Sequence, residues 1–149
     1  MTSTDITPFS RPGTPDYAEA TTSFQLATQV DPIGAFTAHS VDDVVRAVAT
    51  ARRTNLPLRL NTTGHAMGRT APPTDSLLVR PLLDASVRVD PATRTARVPA
   101  GKAWGEVLPE VVKHGLTALH GTSSIVGVIG YLLGGGLSFY GRRFGLAAN

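Results

Sequence analysis

The chain has 149 residues, 42% hydrophobic and 17% charged, a profile of one globular domain long enough to bury a core. Its 15 glycines and 11 prolines fall short of a low-complexity composition, so wholesale disorder is excluded. With no cysteine and a net charge of +3, there is no disulfide, thiolate nucleophile or Cys-ligated metal centre, and any metal would rest on His and carboxylates.

Fourteen Lys and Arg stand against eleven Asp and Glu. The arginines are scattered singly or in the pairs Arg52-Arg53 and Arg142-Arg143, so no nucleic-acid partner is expected. A membrane span needs about 18 consecutive apolar residues. The longest apolar run, Ile125 to Leu133, is broken by Gly127 and Gly130. The first twenty residues lack both the basic and the apolar region of a secretory signal. The expectation is a cytoplasmic protein with no membrane partner.

In chain order, residues 1–16 are rich in Thr, Ser, Pro and Gly without periodic apolar positions, and read as a mobile leader. The domain proper is expected over 17–149. Tyr17 to Ala27 has the composition of a short helix, and Ala35, Phe36 and Ala38 begin a strand after Pro32 and Gly34. Ser40 with Asp43 three residues on resembles a capping box. Val41, Val44, Val45, Val48 and Ala51 then recur at helical spacing, predicting a helix over 41–54 closed by Asn55 and Pro57. Leu58-Arg59-Leu60 reads as a strand, and Ser76 to Arg80 as another. Val87-Arg88-Val89 and Thr95 to Val98 read as an antiparallel pair around the turn Asp90-Pro91-Ala92-Thr93. Gly101 precedes a helix with Trp104, Val107, Leu108, Val111 and Val112 on its apolar face, Pro109 kinking or restarting it and Gly115 as C-cap. This alternation is an α+β pattern.

Two glycine segments stand out: Asn61 to Gly68 after a strand, and Gly121 to Gly136. Neither carries the dinucleotide fingerprint or the P-loop pattern. Glycine lets backbone N–H groups ring an anion, so the segments hold a phosphate-bearing ligand or are tight turns and packing glycines. Residue physics leaves both open. His39, His65, His114 and His120 lack metal-ligand spacing, so no metal site is expected. His39 and His114 read as surface or capping residues, whereas His65 lies inside the first glycine segment.

Several ordered blocks carry a resemblance. They are Ser40-Val41-Asp42-Asp43-Val44, Thr63-Gly64-His65-Ala66-Met67-Gly68, Val89-Asp90-Pro91 with Thr95-Ala96-Arg97-Val98, and Ala100-Gly101 with Trp104-Gly105-Glu106-Val107. His114-Gly115-Leu116 follows, then Val126 to Gly136 and Arg143-Phe144-Gly145-Leu146-Ala147. From about Asp31 onward the chain resembles the opening part of the FAD-binding domain of the vanillyl-alcohol-oxidase/p-cresol-methylhydroxylase (PCMH) type, specifically the berberine-bridge-enzyme-like oxidases. The resemblance implies the first part of a PCMH-type fold, a small mixed β-sheet flanked by helices, with FAD as cofactor. It places Thr62, Thr63, Gly64, His65, Ala66 and Met67 around the FAD diphosphate. Gly121, Thr122, Ser123, Val126, Gly127, Gly130, Tyr131, Gly134 and Gly135 would then lie along the isoalloxazine and ribityl chain. It further implies attachment of His65 to the flavin 8α-methyl. Thr63 replaces the family's usual first Gly, and Ser123 stands where bicovalent members carry Cys, which removes a second attachment. No catalytic residue is assigned.

Family enzymes run to several hundred residues, and the parts that meet a small-molecule substrate are expected in further domains. The chain alone is therefore expected to be truncated and inactive. Two functions follow: the FAD-binding portion of an oxidase that passes a substrate hydride to flavin N5 and then to dioxygen, or a non-catalytic flavin- or nucleotide-binding remnant or interaction module.

Overall fold

The computed structural model describes residues 5–69 and 73–149. Residues 1–4 of the expected leader lie outside them. The chain forms two compact units, Met1–Leu83 and Asp84–Asn149.

The first unit is built on a three-stranded sheet of β1 (Gly34–Ala38), β2 (Leu58–Leu60) and β3 (Leu77–Pro81). Both neighbours pair parallel to the central β3, in the order β1-β3-β2. Leu77, Leu78 and Val79 are all buried, because a central parallel strand is covered on both faces and reads as a continuous apolar run. Leu77 and Val79 join Ile6, Phe9, Ala38, Ala47 and Ala51 on one face. Leu78 joins Tyr17, Ala20 and Ala35 on the other.

Helix α2 (Val41–Thr54) covers the first face. Its start is the expected capping box: Ser40 Oγ accepts from Asp43 N (3.1 Å), and Asp43 Oδ2 accepts from Ser40 N (2.9 Å). Arg46 and Ser40 beside Asp43 hold its carboxyl well below the usual range. Asn55 ends the helix at φ 54°, the left-handed conformation Asn tolerates.

The other face is covered by α1 (Pro15–Ala20), capped by Thr14. The helix expected through Ala27 stops at Ala20, because the hydroxyls of Thr21 and Thr22 donate back to the Tyr17 and Ala18 carbonyls (2.8 and 3.1 Å), a local alternative to further turns.

The leader is corrected for residues 5–16. Ile6 and Phe9 are 4% and 6% exposed and belong to the main core. Phe9 meets Phe36 edge-on at 5.9 Å, and Ser10 bridges Ala35 with two 2.9 Å backbone hydrogen bonds. Two apolar residues three apart around a turn leave no periodic trace, yet they help cover one face of the sheet, while Ser10 pairs with its edge strand.

In the second unit, β4 (Arg88–Asp90) and β5 (Thr95–Arg97) form the expected antiparallel hairpin. Asp90 Oδ1 accepts from the N–H of Ala92 and Thr93 in its turn. The parallel and antiparallel pairings thus lie in separate sheets rather than in one. Helix α3 (Trp104–Val112) buries Trp104, Val107 and Val111 and runs on through Pro109 without restarting there. Val112 is exposed. Glu106 Oε2 accepts from Ala103 N (2.9 Å) and Oε1 from Lys102 Nζ (2.8 Å), which holds its carboxyl below the usual range. Gly115, at φ 67°, donates to Val112 O (2.9 Å) past the helix end. Short helices α4 (Val128–Leu133) and α5 (Gly141–Phe144) follow. Among the described residues no helix is long and apolar enough to cross a membrane, and no group of three His, Asp or Glu is placed to hold a metal.

Candidate functional site

The six residues Thr62 to Met67 occupy the turn that leaves the C-terminal end of β2 and enters a single 3-10 turn, Met67–Arg69. Such an end of a parallel strand is where open α/β sheets hold ligands. The loop begins on Asn61, which is buried and donates through its N–H to Val79 O (3.0 Å). Gly64 is at φ +81°, and a Cβ there would lie 2.8 Å from Ser23 Cα. Only glycine reconciles that conformation with that approach.

Gly64 O accepts from Met67 N (3.2 Å) and from Ser23 Oγ (3.2 Å). The Gly64 carbonyl is thus engaged, whereas the N–H groups of Gly64, His65 and Ala66 have no acceptor among the described residues. Consecutive free amides in a turn form an anion-binding concavity. The His65 ring is stacked on Phe24, centroids 4.0 Å apart and planes 26° from parallel. Its Nε2 is buried without a hydrogen-bond partner, an arrangement that costs about 1–3 kcal/mol unless something meets it.

In the second unit, Gly121, Thr122, Ser123, Val126 and Gly127 lie in the segment before α4. Gly130 and Tyr131 are within α4, and Gly134 and Gly135 at its end. The segment is strung along the start of α3: Gly105 N donates to Ser124 O (2.8 Å), Trp104 N to Val126 O (3.0 Å), and Val128 N to Lys102 O (3.0 Å). His120 Nδ1 lies 2.7 Å from Gly121 O. Thr122 and Gly130 are exposed, Ser123 half-buried. Tyr131 stands edge-on to Trp104 at 5.5 Å, and burial pushes its phenol above the usual value. Its hydroxyl and Trp104 Nε1 are both buried without partners. The Tyr131 ring also faces two glycines, since a Cβ on Gly121 would come 3.1 Å from its Cε2 and one on Gly136 2.9 Å from its Cε1. These two glycines thus make room for an aromatic side chain of this chain.

Sequence reasoning did not single out Ser23 or Phe24, and gave Asn61 and His120 no role of their own. Ser23 and Phe24 act through contacts with the distant loop residues Thr63, Gly64 and His65, which no local pattern encodes.

The family profile described as "FAD binding domain" matches residues 32–149. The chain belongs to this family, the FAD-linked oxidases of the vanillyl-alcohol-oxidase and berberine-bridge-enzyme-like type. Its cofactor is FAD. This FAD-binding domain protein is 29% identical over 141 residues to the FAD-linked oxidoreductase dpmaF of Metarhizium anisopliae, covering 93% of this chain and 28% of that protein. It is 30% identical over 110 residues to the (R)-6-hydroxynicotine oxidase of Paenarthrobacter nicotinovorans, covering 74% and 24%. Among solved structures, the 6-hydroxy-D-nicotine oxidase of Arthrobacter nicotinovorans superposes with a TM-score of 0.81 at 25% identity, covering 94% of this chain and 31% of that one. The BBE-like 1 protein of Physcomitrella patens superposes at 0.80 with 26% identity, covering 93% and 31%. The chain therefore spans under a third of the length of these relatives. The residues of the first loop suit FAD: free amides match an anionic diphosphate, and His65 Nε2 beside them is buried without a hydrogen-bond partner.

Proposed function

We propose that this chain is the cofactor-holding part of an FAD-dependent oxidase acting on a small organic molecule. The observation that carries this reading is the first loop, where three consecutive amides without acceptors adjoin a buried, unpartnered His65 Nε2. In this reading the amides of Gly64, His65 and Ala66 take the diphosphate, with Thr62, Thr63 and Met67 shaping the turn. Gly121 to Gly127 and the glycines around α4 then line the flavin and ribityl chain. When bound, FAD supplies hydride acceptance at N5 and delivery of the electrons to dioxygen.

The protein's own contribution is binding and orientation. His65 tethers the cofactor through a ring nitrogen. Ser123 offers a hydroxyl, a far weaker nucleophile than a thiolate, so one tether is the limit. Substrate recognition belongs to the part of the relatives' length that this chain does not span.

Acid precipitation tests the reading. The FAD-loaded protein is expected to be yellow and to carry flavin fluorescence into the pellet, on a peptide containing His65. In His65→Ala the flavin moves to the supernatant. Free release from the wild type would remove the tether and leave the cofactor. A folded, colourless protein after FAD incubation would favour the non-catalytic remnant instead.

A further inference from the structure

Residues 22–25 lie outside the family match, which begins at residue 32, yet they dock residue by residue onto the glycine loop. Asn61 Nδ2 donates to Thr22 O (3.3 Å). Ser23 Oγ donates to Gly64 O (3.2 Å), and Ser23 is the residue that leaves no room for a side chain at Gly64. Phe24 N donates to Thr63 O (2.9 Å). The Phe24 ring lies on the His65 imidazole at 4.0 Å, and Gln25 borders Gly68, 3.5 Å from where its Cβ would be.

Phe24 is the odd member of this clasp. Its ring is 57% exposed and belongs to none of the buried clusters, so the core does not explain it. What the ring does contact is His65, a loop side chain with an unsatisfied buried nitrogen. An imidazole on a glycine-flanked backbone has two free side-chain torsions, and a stacked aromatic face removes most of that freedom. The freedom lost beforehand is not lost again on binding, which strengthens binding.

We infer that Phe24 is a positioning residue for the cofactor: it clamps the His65 ring so that Nε2 is held ready for the flavin. The inference rests on the FAD reading of the loop. It adds a residue from outside the matched region and an order of events, with the ring oriented before FAD arrives.

The experiment compares wild type, Phe24→Leu, Phe24→Tyr, His65→Ala and the double variant Phe24→Leu/His65→Ala, using FAD itself as probe. Leu keeps apolar bulk without the ring. Phe24→Leu is expected to raise the Kd for dissociable FAD, or lower the acid-stable flavin fraction, about 3- to 10-fold, and to shift the flavin absorbance bands. Phe24→Tyr should restore both. On the His65→Ala background, Phe24→Leu should have no further effect, which a merely structural residue would not reproduce. Equal FAD retention by wild type and Phe24→Leu, or an undiminished effect without His65, overturns the inference.

A second readout needs no FAD. The His65 Hε1 resonance is expected to lose its ring-current shift in Phe24→Leu and keep it in Phe24→Tyr, and an unmoved resonance overturns the inference. If the wild type binds no FAD, the cofactor reading of the loop fails, and the resonance alone decides whether Phe24 holds the ring.

Discussion

Gly64 gives the sharpest expectation at the scale of single residues. Its φ of +81° lies where a side chain costs about 1–2 kcal/mol, and an added Cβ meets the backbone of Ser23 at 2.8 Å, where nothing can rotate aside. Gly64→Ala is therefore expected to destabilise the protein by about 2 kcal/mol or more and to weaken FAD binding, read from a denaturant melt and a fluorescence titration. Gly68 supplies the contrast. A Cβ there would meet only the Thr28 hydroxyl at 3.0 Å and the flexible Gln25 side chain, so Gly68→Ala should be the milder change. Two glycines in one sequence motif thus separate into one that is sterically required and one that is not. The motif revealed the pair, and only the fold distinguishes them.

Legibility in the sequence follows locality at the scale of elements. Helix α2 was readable to its ends because Ser40, Asp43 and Asn55 act on the backbone within four residues of themselves. The hairpin was readable for the same reason, through Asp90 and its turn. The order β1-β3-β2, the burial of Ile6 and Phe9, and the docking of residues 22–25 on the loop join positions tens of residues apart and left no local mark. Phe9 makes this testable. A leader without structural work would tolerate Phe9→Ala, whereas a buried aromatic lost from a core costs about 3–5 kcal/mol, so the urea midpoint should fall sharply. Helix α3 carries a pH prediction. The folded Glu106 carboxyl is held below its unfolded value by the Ala103 amide and Lys102, so its contribution is present above the unfolded carboxylate range and is lost as pH falls through the depressed folded value. Glu106→Gln keeps an acceptor for the amide and removes the charge. Because the side chain is half exposed, the loss near neutral pH is expected to be about 1 kcal/mol or less, a Tm change of about 1–4 °C. The variant and wild-type melting curves should converge in acid.

At the scale of the whole molecule, the second unit leaves large apolar side chains in water. Leu133, Leu137 and Phe139 are 81%, 78% and 74% exposed, and Phe144 and Leu146 are 56% and 45% exposed. They fall between positions 133 and 146, next in sequence to the glycines proposed to line the flavin, while the buried cluster of that unit gathers around Trp104. Scattered exposed leucines need no explanation, but several in one short stretch mark a surface that meets something. The chain covers 28% of the dpmaF relative, so the rest of a relative of that length is more than twice as much protein as this chain. The 149-residue chain by itself is therefore expected to bind an environment-sensitive apolar dye strongly and to form no peroxide with dioxygen and an amine or alcohol substrate panel. Replacing Leu137 and Phe139 together by Lys should cut the dye signal several-fold. The melting temperature should move by only a few degrees, because exposed positions contribute about 0.5 kcal/mol or less each. A collapse of the fold in that double variant would mean that these side chains belong to the core of the unit, and peroxide formation by the unaided chain would mean that the flavin-holding part suffices for turnover.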